Sequence, residues 1–262
     1  MAVLLKLIIC GFLLRLVGKA QAYLLRRLGH EVFIYDPYVL PDNRLERHVD
    51  LTFICTPEAS VEEALKTLIS EEVQGLYVIK STTPVGTTEG LMEKYGVHIC
   101  HNPEFLRQKH AYEDVINPDR VIIGQCCKKH GQVLVGLYSP LNKPIFVTTP
   151  ILSELAKLAA NAYLSTLITF WNEMYELTVK LNVDIRELAE LVCSDHRISR
   201  YGTAKFGEPF GGKCLPKDLD YLINSFKQCN SNPILFEAVK TFNNKLSTNL
   251  VRECLSVYPF TE

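Results

Sequence analysis

The sequence predicts an α/β domain built on a doubly wound parallel sheet, followed by an all-helical domain that contains one long helix. Three observations predict this architecture. Short apolar segments alternate with segments of helical spacing over residues 1–148. After Pro150, neither glycine nor proline occurs before about Leu181. The rest of the chain has helical patterns around a glycine-rich segment, Tyr201–Cys214. We therefore expect two domains, at residues 1–148 and 149–262.

The strands of the first domain are predicted from apolar, β-branched and aromatic runs. Val3–Cys10 is an apolar run, as expected for a strand in the middle of a parallel sheet. Five further strands are predicted, at Glu31–Tyr35, Leu51–Cys55, Leu76–Lys80, Val97–Cys100 and Val121–Gly124. Helices predicted at Lys19–Leu28 and Val61–Ser70 alternate with these strands, so the domain is expected to be Rossmann-like with right-handed crossovers.

The helical domain is predicted to begin where Thr149 can cap a helix whose first position is Pro150. A helix of about thirty residues follows, because apolar side chains recur at helical spacing. Those side chains are Leu152, Leu155, Ala156, Ala159, Tyr163 and Ile168. Shorter helices are predicted at Ile185–Cys193, Leu219–Gln228 and Pro233–Leu250.

The bulk composition excludes several classes of function. A net charge of −1 over 262 residues favours neither nucleic acid nor an anionic membrane as a partner. The apolar run Leu4–Leu14 and the tripeptide Ala20–Ala22 resemble a secretion signal. However, the same pattern continues as a strand, a helix and a second strand, and we favour that interpretation. No apolar stretch approaches the ~20 residues that span a bilayer.

The cysteines suggest a reducing compartment. There are nine, an odd number, and no CxxC pair occurs, although Cys126 and Cys127 are adjacent. A disulfide framework and a zinc site are therefore not expected, and most thiols are expected to act as small buried apolar groups. We expect a cytoplasmic protein without a bound metal.

A dinucleotide fingerprint is present only in part. Gly11 follows the first strand and Gly18 directly precedes the next predicted helix, but the central glycine is missing and the spacing is two residues longer than usual. Asp36 ends the second strand, where a carboxylate can hold a ribose hydroxyl and repel the phosphate of NADP. From this segment alone, a cofactor site and an ordinary turn with a surface Asp are about equally supported.

Three further segments carry chemistry only in combination. The segment Lys80–Thr88 puts hydroxyls at the carboxyl edge of the sheet, and Glu104 follows a strand, where it could act as a base. Lys157 and Asn161 are four residues apart, so they share one helical face and could stabilise an oxyanion. Taken singly, each segment is explained at least as well by a Ser/Thr turn, by helix capping or by a solvated Glu–Lys pair.

The strongest motif is the segment PFGGKCLPKD, in which two glycines precede Cys214 at the predicted start of a helix. Backbone amides and the helix dipole favour a thiolate nucleophile there. Lys217 adds positive charge, and Asp218 lies one turn further on, where it could position or activate a water. The alternative is a glycine loop with an incidental cysteine, and the presence of Asp218 argues against it.

Together these segments resemble the UDP-glucose/GDP-mannose dehydrogenase family. Four motifs of that family occur in the family's order, at Ser81–Thr88, Asn102–Leu106 with Asn117–Gly124, Glu154–Leu164 and Pro209–Asp218. The resemblance covers about residues 1 to 245. It implies NAD as the cofactor, a nucleotide-sugar substrate, a homodimer formed along the long helix, and a primary alcohol that is oxidised twice.

The resemblance also implies roles for individual residues. Cys214 would be the nucleophile that forms a thiohemiacetal and then a thioester. Lys157 and Asn161 would stabilise the oxyanion, Asp218 with Thr82 would hold the catalytic water, and Glu104 would assist thioester hydrolysis. The cofactor would contact Gly11, Gly18, Asp36, Thr56, Ser81, Thr82 and Lys217. The substrate would contact Glu104, Phe105, Leu106, Lys157, Asn161, Phe210 and Gly211.

This sequence departs from the family pattern in several places. The central fingerprint glycine is missing, Gln108 replaces a second Glu, and Pro209 replaces the first glycine of the cysteine loop. The chain stops at Glu262, which implies a short form without the C-terminal nucleotide-binding domain. Two other functions therefore stay open. One is a non-catalytic remnant that binds or assembles, and the other is a two-electron hydroxyacid dehydrogenase, which needs no Cys nucleophile.

Overall fold

The computed structural model describes residues 4–11, 16–39, 45–212 and 214–257, with side chains described as far as residue 248. Within these residues, seven strands form one sheet. The strands are β1 (Lys6–Cys10), β2 (Glu31–Tyr35), β3 (Leu51–Ile54), β4 (Leu76–Ile79), β5 (Ile99–His101), β6 (Val121–Gly124) and β7 (Ile145–Thr148). Their order across the sheet is β2-β1-β3-β4-β5-β6-β7. The predicted α/β class with a Rossmann-like sheet is confirmed.

Nine helices occur in the same described ranges. They are α1 (Leu16–Arg27), α2 (Val61–Ser70), α3 (Thr87–Tyr95), α4 (Ala111–Ile116), α5 (Lys128–Tyr138), α6 (Pro150–Leu181), α7 (Ile185–Val192), α8 (Leu215–Gln228) and α9 (Ile234–Val257). The long helix begins at the predicted proline, and the Thr149 hydroxyl accepts a hydrogen bond from Leu152 N at 3.3 Å. None of these helices combines the length and the apolar character that a bilayer crossing requires.

The central strands are buried on both faces, which explains their uninterrupted apolar sequences. Successive side chains of a strand point to opposite faces. Leu7 and Ile9 accordingly pack in one core with Leu24 of α1, while Ile8 packs in a second core with Leu65 of α2. Burial of apolar surface stabilises a fold by about 25 cal/mol per Å², so the two cores stabilise the sheet from both sides.

The sheet differs from the prediction at β5 and β6, which pair antiparallel, whereas every other neighbouring pair is parallel. An apolar run predicts a strand but not its direction. The connection between these two strands contains a 3-10 turn, Gln108–His110, and the six-residue helix α4. An antiparallel neighbour needs no helix that crosses the face of the sheet, so this connection suffices.

The strand β7 and the helices α3, α4 and α5 were not predicted from the sequence pattern. The strand β7 lies at the edge of the sheet, and its Phe146 and Val147 are exposed, so it lacks the pattern of a buried strand. The helix α8 begins at Leu215, directly after Cys214 as the cysteine motif predicts and four residues before the predicted range Leu219–Gln228, because Pro216 is accepted in its first turn.

The chain divides into two compact units, Met1–Lys157 and Leu158–Glu262, with the division inside α6. The core of the second unit is built around the buried Trp171 of α6 and Ile185 of α7. Phe206, from the segment between α7 and α8, packs edge-on against Trp171.

Candidate active site

In the first unit, four predicted cofactor contacts follow four neighbouring strands. Gly11 follows β1, Asp36 follows β2, and Thr56 and Ser81 lie just beyond β3 and β4. Because these strands are parallel, their carboxyl ends meet at one edge of the sheet. The strand order reverses between β1 and β3, and ligands of such sheets bind in the crevice at that point.

The groups at this edge fit a dinucleotide. Asp36 is fully buried, and its Oδ1 accepts hydrogen bonds from Tyr38 N at 3.1 Å and Val39 N at 3.2 Å, which hold the carboxylate at the end of β2. The Thr56 hydroxyl is buried and has no hydrogen-bond partner among the described residues. An orphaned hydroxyl and a fixed carboxylate at the same edge of a sheet are the kind of donor and acceptor set that ribose and phosphate groups satisfy. Gly18 is buried within α1, and residues 12–15 lie outside the described residues.

The hydroxyl-rich segment after β4 is held at both of its ends. The Ser81 hydroxyl donates to the carbonyl oxygen of Thr56 at 2.6 Å, which ties the end of β4 to that of β3. The carboxylate of Glu154 on α6 accepts hydrogen bonds from Gly86 N at 2.6 Å, Thr88 N at 2.8 Å, the Thr88 hydroxyl at 2.6 Å and the Thr83 hydroxyl at 3.3 Å. Thr82 lies half-buried on this fixed segment.

Glu154 is therefore a positioning residue that the sequence analysis missed. It is 1% exposed, so the alternative of a solvated Glu–Lys pair is wrong for this part of α6. Burial raises the pKa of Glu154, while the hydrogen bonds from Thr88, Gly86 and Thr83 oppose that shift. The indication in the sequence was the position of Glu154, one turn inside a helix that also contains Lys157 and Asn161. Its hydrogen-bond partners could not be inferred, because they lie at least 66 residues away in the chain.

Glu104, Phe105 and Lys157 lie close together in the structure. Lys157 Nζ lies 3.3 Å from Glu104 Oε1, and both side chains are largely buried. Glu104 Oε2 accepts a hydrogen bond from Leu106 N at 2.6 Å, which fixes the carboxylate on its own loop. The ring of Phe105 lies 5.0 Å from Lys157 Nζ and 4.2 Å from the guanidinium of Arg120. The ammonium group is thus held by a carboxylate and an aromatic ring.

A buried polar network adjoins this cluster and was also missed. Lys80 Nζ donates to Asn102 Oδ1 at 2.8 Å, and the Tyr138 hydroxyl donates to the same oxygen at 2.6 Å. Gln21 Nε2 in turn donates to the Tyr138 hydroxyl at 2.9 Å. Burial lowers the pKa of Lys80 to about 8, against opposing effects of Cys55 and Glu104. Lys80, Asn102, Glu104 and Tyr138 all line a cavity of about 660 Å³.

Asn102 therefore anchors the loop that carries Glu104 and does not cap a helix, contrary to the alternative considered from sequence. Its Nδ2 donates to the carbonyl oxygen of Ile122 at 2.7 Å, and its own N donates to Ile79 O at 2.9 Å. The only available signal was a lysine directly after a buried strand. Lys80 contacts Asn102, which follows β5, and the ring of Tyr138 in α5, and the sequence pattern did not bring these residues together.

In the second unit, Cys214 occupies the N-cap position of α8. Its side chain is exposed, and its carbonyl oxygen accepts the hydrogen bond from Asp218 N at 2.9 Å that opens the helix. Gly212, two residues earlier, has a φ of +75°, which a side chain would strain. The glycines thus permit the sharp entry that presents the thiol at a helix N-terminus, where the dipole favours an anion.

Asp218, Asn161 and Lys217 form a compact cluster. Asn161 Nδ2 donates to Asp218 Oδ2 at 2.5 Å, and Asp218 is 1% exposed. Lys217 Nζ lies 2.7 Å from Asp218 Oδ1, so the second carboxylate oxygen forms a close ion pair.

Two buried asparagines hold the loop that leads to Cys214, and sequence reasoning missed both. Asn243 of α9 accepts from Phe210 N at 2.8 Å and donates to Phe210 O at 3.0 Å. Asn172 of α6 accepts from Gly207 N at 2.9 Å and donates to Glu208 O at 2.7 Å. Phe210 is buried by this clamp and Gly211 is exposed. Amides that replace backbone partners in this way leave no local pattern in the sequence.

Comparisons with known proteins identify two regions of the chain. Residues 40–142 match the NAD binding domain, and residues 152–245 the central domain, of the UDP-glucose/GDP-mannose dehydrogenase family. UDP-glucose 6-dehydrogenase TuaD of Bacillus subtilis is 35% identical over 207 residues, which are 75% of this chain and 44% of that protein. The chain thus spans less than half the length of this curated relative.

Solved structures agree on the fold. A UDP-glucose dehydrogenase from the hyperthermophilic archaeon Pyrobaculum islandicum is 28% identical, with a TM-score of 0.85 over 97% of this chain and 72% of that one. A 3-hydroxyisobutyrate dehydrogenase from Mycobacterium tuberculosis is 14% identical, with a TM-score of 0.76 over 94% of each chain. The second likeness concerns the fold alone.

Proposed function

The chain belongs to the UDP-glucose/GDP-mannose dehydrogenase family, and we propose that it oxidises a nucleotide sugar with NAD, most specifically UDP-glucose to UDP-glucuronate. The observation that carries this proposal is the arrangement in the second unit. There Cys214 stands at the start of α8, with the carboxylate of Asp218 one turn away and bound to the amide of Asn161. A two-electron dehydrogenase has no use for such a thiol.

The thiol converts one difficult oxidation into two easier ones. The primary alcohol of the sugar loses a proton and a hydride, which leaves an aldehyde. The Cys214 thiolate adds to the aldehyde carbon, and the resulting thiohemiacetal loses a second hydride and becomes a thioester. Water then displaces the thiolate and leaves the carboxylate. Bound NAD would accept the hydride in each oxidation.

Asp218 is proposed to hold the water of this cycle together with Thr82. Asn161 holds one carboxylate oxygen of Asp218 at 2.5 Å, and this hydrogen bond fixes the orientation of the whole carboxylate group. A carboxylate fixed in this way can orient a water and accept its proton during hydrolysis. Lys217, which pairs with the second oxygen, is proposed to contact the cofactor as well.

Lys157 and Asn161 are proposed to stabilise the oxyanion that develops on the substrate. Lys157 is 5% exposed and is held by Glu104 and by the ring of Phe105, so its ammonium is oriented before substrate binds. Fixed donors in a site shielded from water stabilise a developing charge more than water does, because they need not reorganise. Glu104 is proposed to assist thioester hydrolysis, and Phe105, Leu106, Phe210 and Gly211 to contact the substrate.

The cofactor is proposed to lie along the carboxyl edge of β1 to β4. Asp36 would hold a ribose hydroxyl, and Gly11, Gly18, Thr56, Ser81 and Thr82 would approach the rest of the dinucleotide. The support is the buried carboxylate at the end of β2 and the orphaned hydroxyl of Thr56. A carboxylate at Asp36 favours NAD over NADP, since it repels a 2′-phosphate.

The test is the stoichiometry of NADH formed by the purified chain with limiting nucleotide sugars. Two NADH per UDP-glucose are expected, with UDP-glucuronate as the product. One NADH per substrate, with a 3-hydroxy acid as the productive substrate, would favour the hydroxyacid dehydrogenase instead. No NADH together with no NAD binding in a calorimeter would favour the non-catalytic remnant.

We also propose that the chain forms a homodimer along α6. Three exposed apolar side chains recur at intervals of seven residues on this helix, namely Tyr163, Phe170 and Leu177, which are 58%, 48% and 47% exposed. Residues seven apart lie on one helical face, and a stripe of this kind is typical of a helix that packs against a second copy. Each interval of seven residues is about two turns of the helix, so the stripe continues along one side of α6. A stripe of this shape supports a helical partner.

A further inference from the structure

We infer that His98, Cys126, Cys127 and His130 bind one thiophilic divalent cation of the zinc class. Their ligand atoms, two thiol sulfurs and two imidazole nitrogens, all lie within 4.8 Å of one another. Two cysteines and two histidines are the ligand set of a closed structural zinc site. The proposal departs from the expectation of a metal-free protein and does not depend on the proposed function.

The antiparallel pair of strands creates this cluster. His98 directly precedes β5, whereas Cys126 and Cys127 come just after β6. Because His101 at the end of β5 pairs with Gly124 at the end of β6 and the two strands run in opposite directions, the residues that follow β6 run back towards the beginning of β5. The cluster therefore lies at the amino edge of β5, away from the carboxyl ends that carry the candidate cofactor contacts.

The remaining ligand comes from the helix that follows. Cys127 is the N-cap of α5, and His130 lies in its first turn. Cys126 Sγ lies 3.2 Å from His130 Nδ1, and Cys127 Sγ lies 3.4 Å from the same nitrogen. One imidazole nitrogen can donate or accept a single hydrogen, so thiol hydrogen bonding accounts for only one of these approaches. A cation shared by both sulfurs and the nitrogen accounts for both.

The distances also suit tetrahedral coordination. Zinc binds sulfur at about 2.3 Å and imidazole nitrogen at about 2.0–2.1 Å, which puts a sulfur and a nitrogen about 3.5 Å apart in a tetrahedron. The two measured distances, 3.2 and 3.4 Å, are close to that value. The rings of His98 and His130 are 4.8 Å apart between centroids, so a small side-chain rotation brings the fourth ligand in.

The chemistry of the neighbours favours a soft cation over a hard one. No carboxylate belongs to the four ligands, which argues against Mg²⁺ or Ca²⁺. Cys100 Sγ lies 3.7 Å from Cys126 Sγ and adds a further sulfur to the surroundings. The site was not predicted from the sequence because its two cysteines are adjacent and His98 is 28 positions before Cys126. This spacing is unlike that of common zinc motifs.

The test uses the full chain purified under reducing conditions, with zinc content and cobalt substitution as readouts. We expect one zinc per chain. We also expect Co²⁺ to give sulfur-to-cobalt charge-transfer bands together with the visible bands of a tetrahedral complex. Cys127→Ser and His130→Gln should each lower retained zinc about tenfold or more after dialysis against a weak chelator. Cys229→Ser and His110→Gln, both exposed and outside the cluster, should retain it.

Several outcomes would overturn the proposal. The first is a reduced, zinc-free wild-type chain that gives no thiolate–cobalt bands when titrated with CoCl₂. The second is equal zinc retention in the cluster variants and the controls. The third is a Cys126–Cys127 disulfide that reforms in preference to metal binding. The cobalt titration of the wild-type chain decides the matter even if a variant fails to fold, because it needs no substitution.

Discussion

At the residue scale, the proposed chemistry depends on how Asp218 is held. The carboxylate is buried, accepts the amide of Asn161 and lies against the ammonium of Lys217. A buried carboxylate is stable only when such partners offset the loss of hydration. The pairing therefore both stabilises the fold of the second unit and sets the direction of the proposed base.

The first prediction concerns this carboxylate. Asp218→Asn should lower kcat by roughly 10²–10⁴, because the water would lose its general base, while KM for the sugar should change little. Thioester should accumulate, since hydrolysis becomes the slow step. Steady-state kinetics and intact-mass measurement of acid-quenched enzyme would check this. The matched control is Asp220→Asn, on the same helix, where the half-exposed carboxylate pairs with Lys240. An Asp218→Asn variant that turns over like the control would remove the proposed role.

A second prediction concerns His101, which is fully buried between Ser153 and the backbone of Ser81. Burial lowers the pKa of His101 to about 3, so the ring is neutral in the folded protein. The unfolded chain binds a proton below about pH 6.5, and stability should therefore fall as the pH falls through that value. Between about pH 7 and pH 5.5 the expected loss from this group is about 1 kcal/mol.

Urea unfolding of the wild type, His101→Gln and His110→Gln at both pH values would measure this effect. The His101 variant should lose less stability on acidification than the wild type, even if it is less stable overall. The exposed His110→Gln variant should follow the wild type. Equal acid sensitivity in all three proteins would show that His101 does not titrate on unfolding.

At the element scale, loops that carry reactive groups are fixed by side chains of distant helices. Glu154 of α6 holds the hydroxyl segment after β4, and Asn243 of α9 holds the loop that leads to Cys214. The described residues of both loops form no helix or strand ladder that would satisfy their backbone groups. These side chains therefore replace the missing backbone partners and preserve the loop geometry.

The third prediction is that Asn243→Ala loosens the cysteine loop. It leaves the N and O of Phe210 without partners, and a buried unsatisfied group costs about 1–3 kcal/mol. We expect kcat to fall more than NAD affinity, because the thiol loses its position while the sheet edge is untouched. Kinetics, NAD calorimetry and thermal unfolding would check it.

The neighbouring Asn244 is exposed, and Asn244→Ala is the matched control. It should leave kcat and the unfolding midpoint unchanged. If both variants behave alike, the clamp on Phe210 does not position the thiol.

At the scale of the whole molecule, the fold class was predictable because β1, β3 and β4 are buried on both faces and so carry uninterrupted apolar sequences. The long helix was predictable from its capping threonine and its N-terminal proline. The reversed direction of β6 and the edge strand β7 were not, since apolar pattern carries no direction and an edge strand is only half buried.

The residues of the candidate site also fall into some that the sequence predicted and others that it did not. Cys214, Asp218 and Lys157 were found because they stand at helix starts or on a helix face with a local pattern. Lys80, Asn172 and Asn243 were missed, because their partners are between 22 and 36 residues away and only the folded chain brings them together. Whether the predicted residues act in catalysis stays a prediction.

A fourth prediction tests the proposed dimer. Phe170→Glu puts a charge in the middle of the exposed stripe on α6, and a charge buried at an interface without a partner is strongly unfavourable. Light scattering coupled to size-exclusion chromatography should give a dimer for the wild type and a monomer for the variant. The control is Glu173→Gln, an exposed residue of the same helix that is not part of the stripe. A wild-type monomer would contradict the proposal.

The most direct test of the central claim is the NADH yield of Cys214→Ser in a single turnover with limiting UDP-glucose. A serine cannot form the thioester, so we predict that the reaction stops after at most one hydride transfer, with the aldehyde trapped by a hydrazine reagent. The exposed Cys229→Ser control should release two NADH and the uronic acid, as the wild type should. Two NADH and free uronic acid from Cys214→Ser would contradict the covalent mechanism.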